Sequence, residues 1–134
     1  MRKVEGKDFS GWKGLVVDDE IVNRVVAKSH LEKLGFEVDQ AVDGKDCITK
    51  FKGQKYDLII MDLQMPELDG FEATEEIRQL EQESGQKPVS ILALSASILG
   101  TVWEKCESVG MNGYLGKPFR SEELNQKLQE LLFS

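Results

Sequence analysis

Four places along the 134-residue chain put chemically capable residues directly after a short apolar run. Leu58-Ile59-Ile60-Met61 ends in Asp62, and Leu15-Val16-Val17 ends in Asp18 and Asp19. Val89 to Leu94 ends in Ser95 and Ala96, and Gly113-Tyr114-Leu115-Gly116 ends in Lys117 and Pro118. A short continuous apolar run is the pattern of a strand buried on both faces of a parallel sheet. If these runs are parallel strands of one sheet, their polar tips meet at its carboxyl edge, where open α/β sheets bind ligands. Three carboxylates, a hydroxyl and an ammonium gathered there suit a hard divalent cation, which takes oxygen ligands, and a phosphoryl group.

The segments between the runs read as the helices that hold such a sheet. Lys13 to Val17 is the first expected strand, followed by a helix from about Glu20 to Leu34. On that helix Asn23, Val26, Ala27, His30, Leu31 and Leu34 form one stripe, while Glu20, Arg24, Lys28 and Glu32 line the other side. Gly35 stops it. Phe36 to Ala41 is a short second strand, Asp43-Gly44 a turn, and Lys45 to Lys52 a weaker helix ended by Gly53. Tyr56 to Asp62 is the third strand. A loop through Met65-Pro66 leads to Asp69-Gly70 and a helix to about Glu83. Val89 to Ser95, a helix from about Gly100 to Ser108, and Gly113 to Leu115 follow. Ser121 is expected to cap a last helix with Leu124, Leu128 and Leu131 on its inner face.

Five strand–helix alternations predict an α/β fold: a doubly wound, flavodoxin-like parallel sheet of five strands in order 2-1-3-4-5, flanked by five helices. Its switch point lies between the first and third strands, so Asp18, Asp19 and Asp62 would flank one crevice. Residues 1–12 are expected to be a linker or an expression remnant, and residues 13–134 one domain.

Composition narrows the function. Hydrophobic residues make up 40% and charged residues 31%, a balance that predicts a folded chain. The net charge of -7 argues against a nucleic-acid partner, which needs a basic face. Cys47 and Cys106 lack a CxxC spacing and read as reduced thiols of a cytoplasmic protein. No apolar stretch approaches the ~20 residues of a membrane span, so no direct membrane contact is expected, although a parent protein could be membrane-anchored.

Taken in order, Val16-Val17-Asp18-Asp19-Glu20, Met61 through Gly70, Leu94-Ser95-Ala96 and Lys117-Pro118 resemble the receiver domain of two-component response regulators, the CheY-like family. The resemblance runs from about Lys13 to Leu132. Asp62 to Arg78, with Asn23-Arg24, looks most like receivers attached to hybrid sensor histidine kinases. The resemblance implies that Asp62 is the phosphoacceptor. It implies Mg²⁺ held by Asp19, Asp62 and the Gln64 backbone carbonyl, with Asp18 acting mostly through water. Lys117 would pair with one phosphoryl oxygen, and the Ser95 hydroxyl and Ala96 N–H with another. Ser95 and Tyr114 would move together as the switch. The Lys117-Pro118 bond would be cis. Gln64 and Ser97 would tune hydrolysis of the phosphoaspartate. The implied donor is a histidine kinase or a histidine phosphotransfer protein. Such a chain catalyses its own phosphorylation and dephosphorylation without being a turnover enzyme.

Simpler readings compete at each residue. Asp18 and Asp19 could merely cap a helix, and His30, the sole histidine, reads as a packed side chain rather than a phosphohistidine. Trp12 and Trp103 read as packing residues. A haloacid-dehalogenase-like phosphatase also places an Asp at a strand end, but it needs a second Asp two positions on, where Gln64 stands. A non-phosphorylated pseudo-receiver used for docking is the remaining alternative, and the complete Asp18, Asp19, Asp62 and Lys117 set argues against it.

Overall fold

The computed structural model describes residues 9–96 and 100–133. Five strands alternate with five helices: β1 Lys13–Val17, α1 Ile21–Lys33, β2 Glu37–Ala41, α2 Gly44–Gly53, β3 Leu58–Asp62, α3 Gly70–Ser84, β4 Ser90–Ser95, α4 Gly100–Val109, β5 Gly113–Gly116 and α5 Ser121–Phe133. All strand pairs are parallel, in the order β2-β1-β3-β4-β5. This is the expected fold.

The core lies in two layers, one on each face of the sheet. Strand periodicity sorts the residues between them. Leu15, Val17, Ile59, Met61, Ile91 and Ala93 face one layer, with α2, α3 and α4 packed over it. Val16, Leu58, Ile60, Leu92 and Leu94 face the other, covered by α1 and α5. β3 is buried at every position, which is why its sequence is apolar up to Asp62.

Three expectations need correction. The packed unit reaches back to Phe9, which is fully buried and stacks on Phe36 and Phe133 while Trp12 meets it edge-on, so residues 9–12 are not a loose linker. Residues 1–8 of that expected linker lie outside the described residues, as does Ser97. On α1 only Ala27 and Leu31 of the expected stripe are buried within the helix, with Leu34 buried just after it. Val26 is exposed, together with Ile21, Val22 and Val25. Finally, Ser121 lies within the first turn of α5; the Glu123 carboxylate accepts the Arg120 N–H there instead.

Candidate functional site: an acidic crevice at the carboxyl edge

The register of the sheet brings the strand tips together. Val17 pairs with Met61, so Asp18 and Asp62 continue from neighbouring strands. Asp62 pairs with Leu94, and Ser95 pairs with Gly116, the residue before Lys117. The Lys117 backbone N–H donates to the Ser95 carbonyl at 2.8 Å, and the Lys117-Pro118 bond is cis.

Asp18, Asp19 and Asp62 each offer a carboxylate oxygen, all within 4.8 Å of one another. Asp18 and Asp62 are buried, at 2% and 6% exposure, whereas Asp19 is exposed. Lys117 Nζ lies 3.1 Å from Asp18 Oδ2 and 3.4 Å from Asp62 Oδ1. The Gln64 N–H donates to Asp62 Oδ1 at 3.3 Å, and the Glu20 N–H donates to Asp18 Oδ1 at 2.9 Å. Asp18 thus serves the turn before α1, but neither aspartate caps it: the cap position is Glu20, with no side-chain cap bond.

The Lys117 ammonium reaches two of the three clustered carboxylates, Asp18 and Asp62. Burial, then the Asp18 charge, push the Asp62 carboxyl up to about 6, and Lys117 and the Gln64 N–H only partly oppose this. For Lys117 burial works against the charged form, but Asp18 and Asp62 outweigh it and hold the ammonium above its ordinary value. The site is therefore short of positive charge. Three close carboxylates with no sulfur or imidazole form an oxygen donor set, which fits a hard divalent cation such as Mg²⁺.

The backbone behind the site is tightly built. A Cβ on Gly70 would lie 2.4 Å from the Asp62 carbonyl oxygen, so only glycine lets α3 start there. Asp69 and Glu72 form a reciprocal capping box at that start. Ser95 is buried at the end of β4, Ala96 is exposed beside it, and Gln64 is exposed on the loop after β3. Tyr114 lies on β5 next to Ala93, half-buried against the α4 side of the core, with its hydroxyl enclosed and lacking a hydrogen-bond partner among the described residues. His30 packs its ring against Phe119.

Sequence reasoning missed Arg24. Its place on the helical wheel assigns it to the solvent side of α1, yet its guanidinium folds back to the Asp18 carbonyl. The available signal was its position in the first turns after the acidic pair.

A doubly wound sheet with an acidic triad and a lysine at its switch point defines a phosphoryl-handling α/β domain. The chain belongs to the response regulator receiver domain family, whose pattern matches residues 15–129. It is 40% identical over 136 residues to probable histidine kinase 4 of Oryza sativa subsp. japonica; the match takes in 88% of this chain but only 14% of the rice protein. Among solved structures it resembles the receiver domain of a sensor histidine kinase from Pseudomonas aeruginosa, which holds a magnesium ion in its active-site cleft. That match has 40% identity and a TM-score of 0.82 over 93% of this chain and all of the other. It also resembles the receiver domain of the Saccharomyces cerevisiae response regulator Ssk1, solved with the histidine phosphotransfer protein Ypd1. Here identity is 34% and the TM-score 0.87, over 94% of this chain and 92% of that one.

Proposed function

We propose that this receiver takes a phosphoryl group from a phosphohistidine onto Asp62, and that residues 13–134, with Phe9 and Trp12 packed against them, form the domain that does so. An Asp62 carboxylate oxygen attacks phosphorus, the P–N bond breaks, and the imidazole leaves, giving an acyl phosphate on Asp62. Asp18, Asp19, Asp62 and the Gln64 carbonyl would hold Mg²⁺, which supplies positive charge to the transferring group. Lys117 is placed to meet a second phosphoryl oxygen. Ser95 and the Ala96 N–H stand at the end of the adjacent strand for a third.

The observation that carries this reading is the state of Asp62: buried, crowded by Asp18, and titrating near 6, so that it is mostly ionised at neutral pH and poorly compensated. Tyr114 supports the switch role, because an enclosed hydroxyl without a partner among the described residues leaves its ring with no hydrogen bond to break on moving. Its movement with Ser95 would remodel the surface formed by α4, β5 and α5. Gln64 cannot transfer protons, which disfavours a haloacid-dehalogenase-type phosphatase.

The donor would be a histidine kinase or a histidine phosphotransfer protein, and the parent a hybrid histidine kinase working at the cytoplasmic side. Similarity to a short segment of a plant histidine kinase supports that origin. Ile21, Val22, Val25 and Val26 form an exposed apolar face on α1 beside the crevice, with Val42 also exposed after β2, a surface suited to a protein donor. No helix among the described residues is long and apolar enough to cross a membrane.

The test is incubation with a small phosphodonor such as acetyl phosphate. Wild type with Mg²⁺ should gain one acid- and base-labile phosphoryl group. Chelator should abolish the gain, and so should Asp62→Asn. Equal labelling of Asp62→Asn would remove Asp62 from this role.

A further inference from the structure

We propose that Arg24 is a positioning residue for the cation site: it locks the Asp18–Asp19 peptide so that both carboxylates face Asp62. The inference rests on the cation site proposed above. Arg24 lies on α1, yet its Nη1 donates to the Asp18 carbonyl at 2.9 Å, six residues back. Its Nε donates to Gln40 Oε1 at 3.3 Å. Gln40 is itself held, since the Lys50 ammonium bonds its backbone carbonyl. The next residue, Ala41, accepts the Asp18 N–H at 3.2 Å.

Asp18 is thus fixed at every polar group. Ala41 takes its N–H, Arg24 takes its C=O, and Glu20 N–H and Lys117 share its carboxylate. A peptide unit is planar, so holding the Asp18 carbonyl also sets the direction of the Asp19 N–H and constrains where the Asp19 side chain leaves the backbone. Asp19 is exposed and lies in the bend before α1, where the cap residue Glu20 makes no side-chain cap bond. The Arg24 bridge to Gln40 adds a side-chain tie between this turn and β2, beside the Asp18 N–H bond to the Ala41 carbonyl. Two acceptors on different elements require a flat, forked donor, which arginine has and lysine lacks.

A purely electrostatic role predicts the opposite effect. The Arg24 guanidinium, bonded to the Asp18 carbonyl, brings positive charge toward the cation site, so removing its charge alone would tighten Mg²⁺ binding. Loss of positioning would loosen it.

The experiment is a Mg²⁺ titration of the intact chain followed by backbone amide NMR shifts, with urea midpoints measured on the same samples. Arg24→Ala and Arg24→Lys should each raise the Kd for Mg²⁺ roughly tenfold, the size typical for partners that orient metal ligands. Gln40→Leu should raise it less, and the Arg24→Ala/Gln40→Leu pair should add little to Arg24→Ala alone, because both act through one bridge. At saturating Mg²⁺ the phosphorylation rate should return close to wild type. If Arg24→Ala does not fold, Arg24→Lys and Gln40→Leu carry the test. An unchanged or lowered Kd in the folded variants, whatever their urea midpoints, overturns the proposal. Absence of Mg²⁺ binding in wild type would instead overturn the cation site itself.

Discussion

Two buried carboxylates in this domain are treated in opposite ways. Glu81, on α3, is 4% exposed, yet its two oxygens are fully engaged: Arg78 Nη1 donates to one at 2.8 Å and the Val89 N–H to the other at 2.7 Å. Arg78 in turn bonds the Gly110 carbonyl and Asn112, so one ion pair fastens α3, the start of β4 and the end of α4. Asp62 is equally hidden, but its bonds from Gln64 and Lys117 are long, and a second buried carboxylate stands against it. A buried charge that is fully bonded holds structure together. One left partly unmatched stores a demand for a ligand.

The largest effect should come from breaking the satisfied site. Glu81→Ala strips the Val89 N–H of its acceptor and leaves Arg78 uncompensated, which should cost about 3 kcal/mol in urea unfolding. Mg²⁺ affinity should stay near wild type, because the pair is remote from the crevice. Next comes Gly70→Ala. A Cβ there meets the Asp62 carbonyl oxygen at 2.4 Å, so α3 or the end of β3 must move. A loss of about 2 kcal/mol is expected, together with slower phosphorylation.

Removing the unmatched charge should do the reverse. Asp62→Asn should raise stability in chelator at neutral pH by about 1 kcal/mol, allowing for partial solvent screening. That corresponds to roughly 2–8 °C in Tm, and the variant should lose most of the Mg²⁺-dependent gain expected of wild type. The effect has a pH signature. Folding raises the Asp62 pKa from 3.8 to about 6, so the folded state binds its proton more tightly than the unfolded chain. The stability this group contributes is therefore fully present below 3.8 and is lost as pH rises through 6. The advantage of Asp62→Asn over wild type should be small near pH 4, grow up to about pH 7, and then level off. A constant difference across that range would mean that Asp62 does not titrate as described. The smallest effect is expected at an exposed pair: Lys28→Ala, which removes the contact to Glu32 at 2.8 Å, should change stability by less than about 0.5 kcal/mol.

The contrast also explains what was legible beforehand. Asp18, Asp19, Asp62, Ser95 and Lys117 could be found because each ends an apolar run, and parallel pairing must align such ends. Glu81 could not. Between Leu80 and Gln82 it reads as one more polar residue of an acidic helix, and its burial depends on Arg78 and on a backbone N–H eight residues along the chain. The helical wheel puts Arg24 on the solvent side, because periodicity says where a Cα points and not where a long side chain returns. The same periodicity points Val26 inward. It is exposed because the start of α1 stands beside the crevice, where the sheet offers it little to pack against. Phe9 was lost among polar neighbours, since one aromatic residue has no period to reveal it.

The central claim is that the unmatched carboxylate is the reactive one. It can be read directly by treating the phosphorylated protein with borohydride, which reduces an acyl phosphate to an alcohol, and mapping the altered residue by mass spectrometry. The account predicts conversion of Asp62 alone, to homoserine, dependent on Mg²⁺ and absent without phosphodonor. Conversion at Asp18, Asp19 or Glu81 with Asp62 untouched would contradict it.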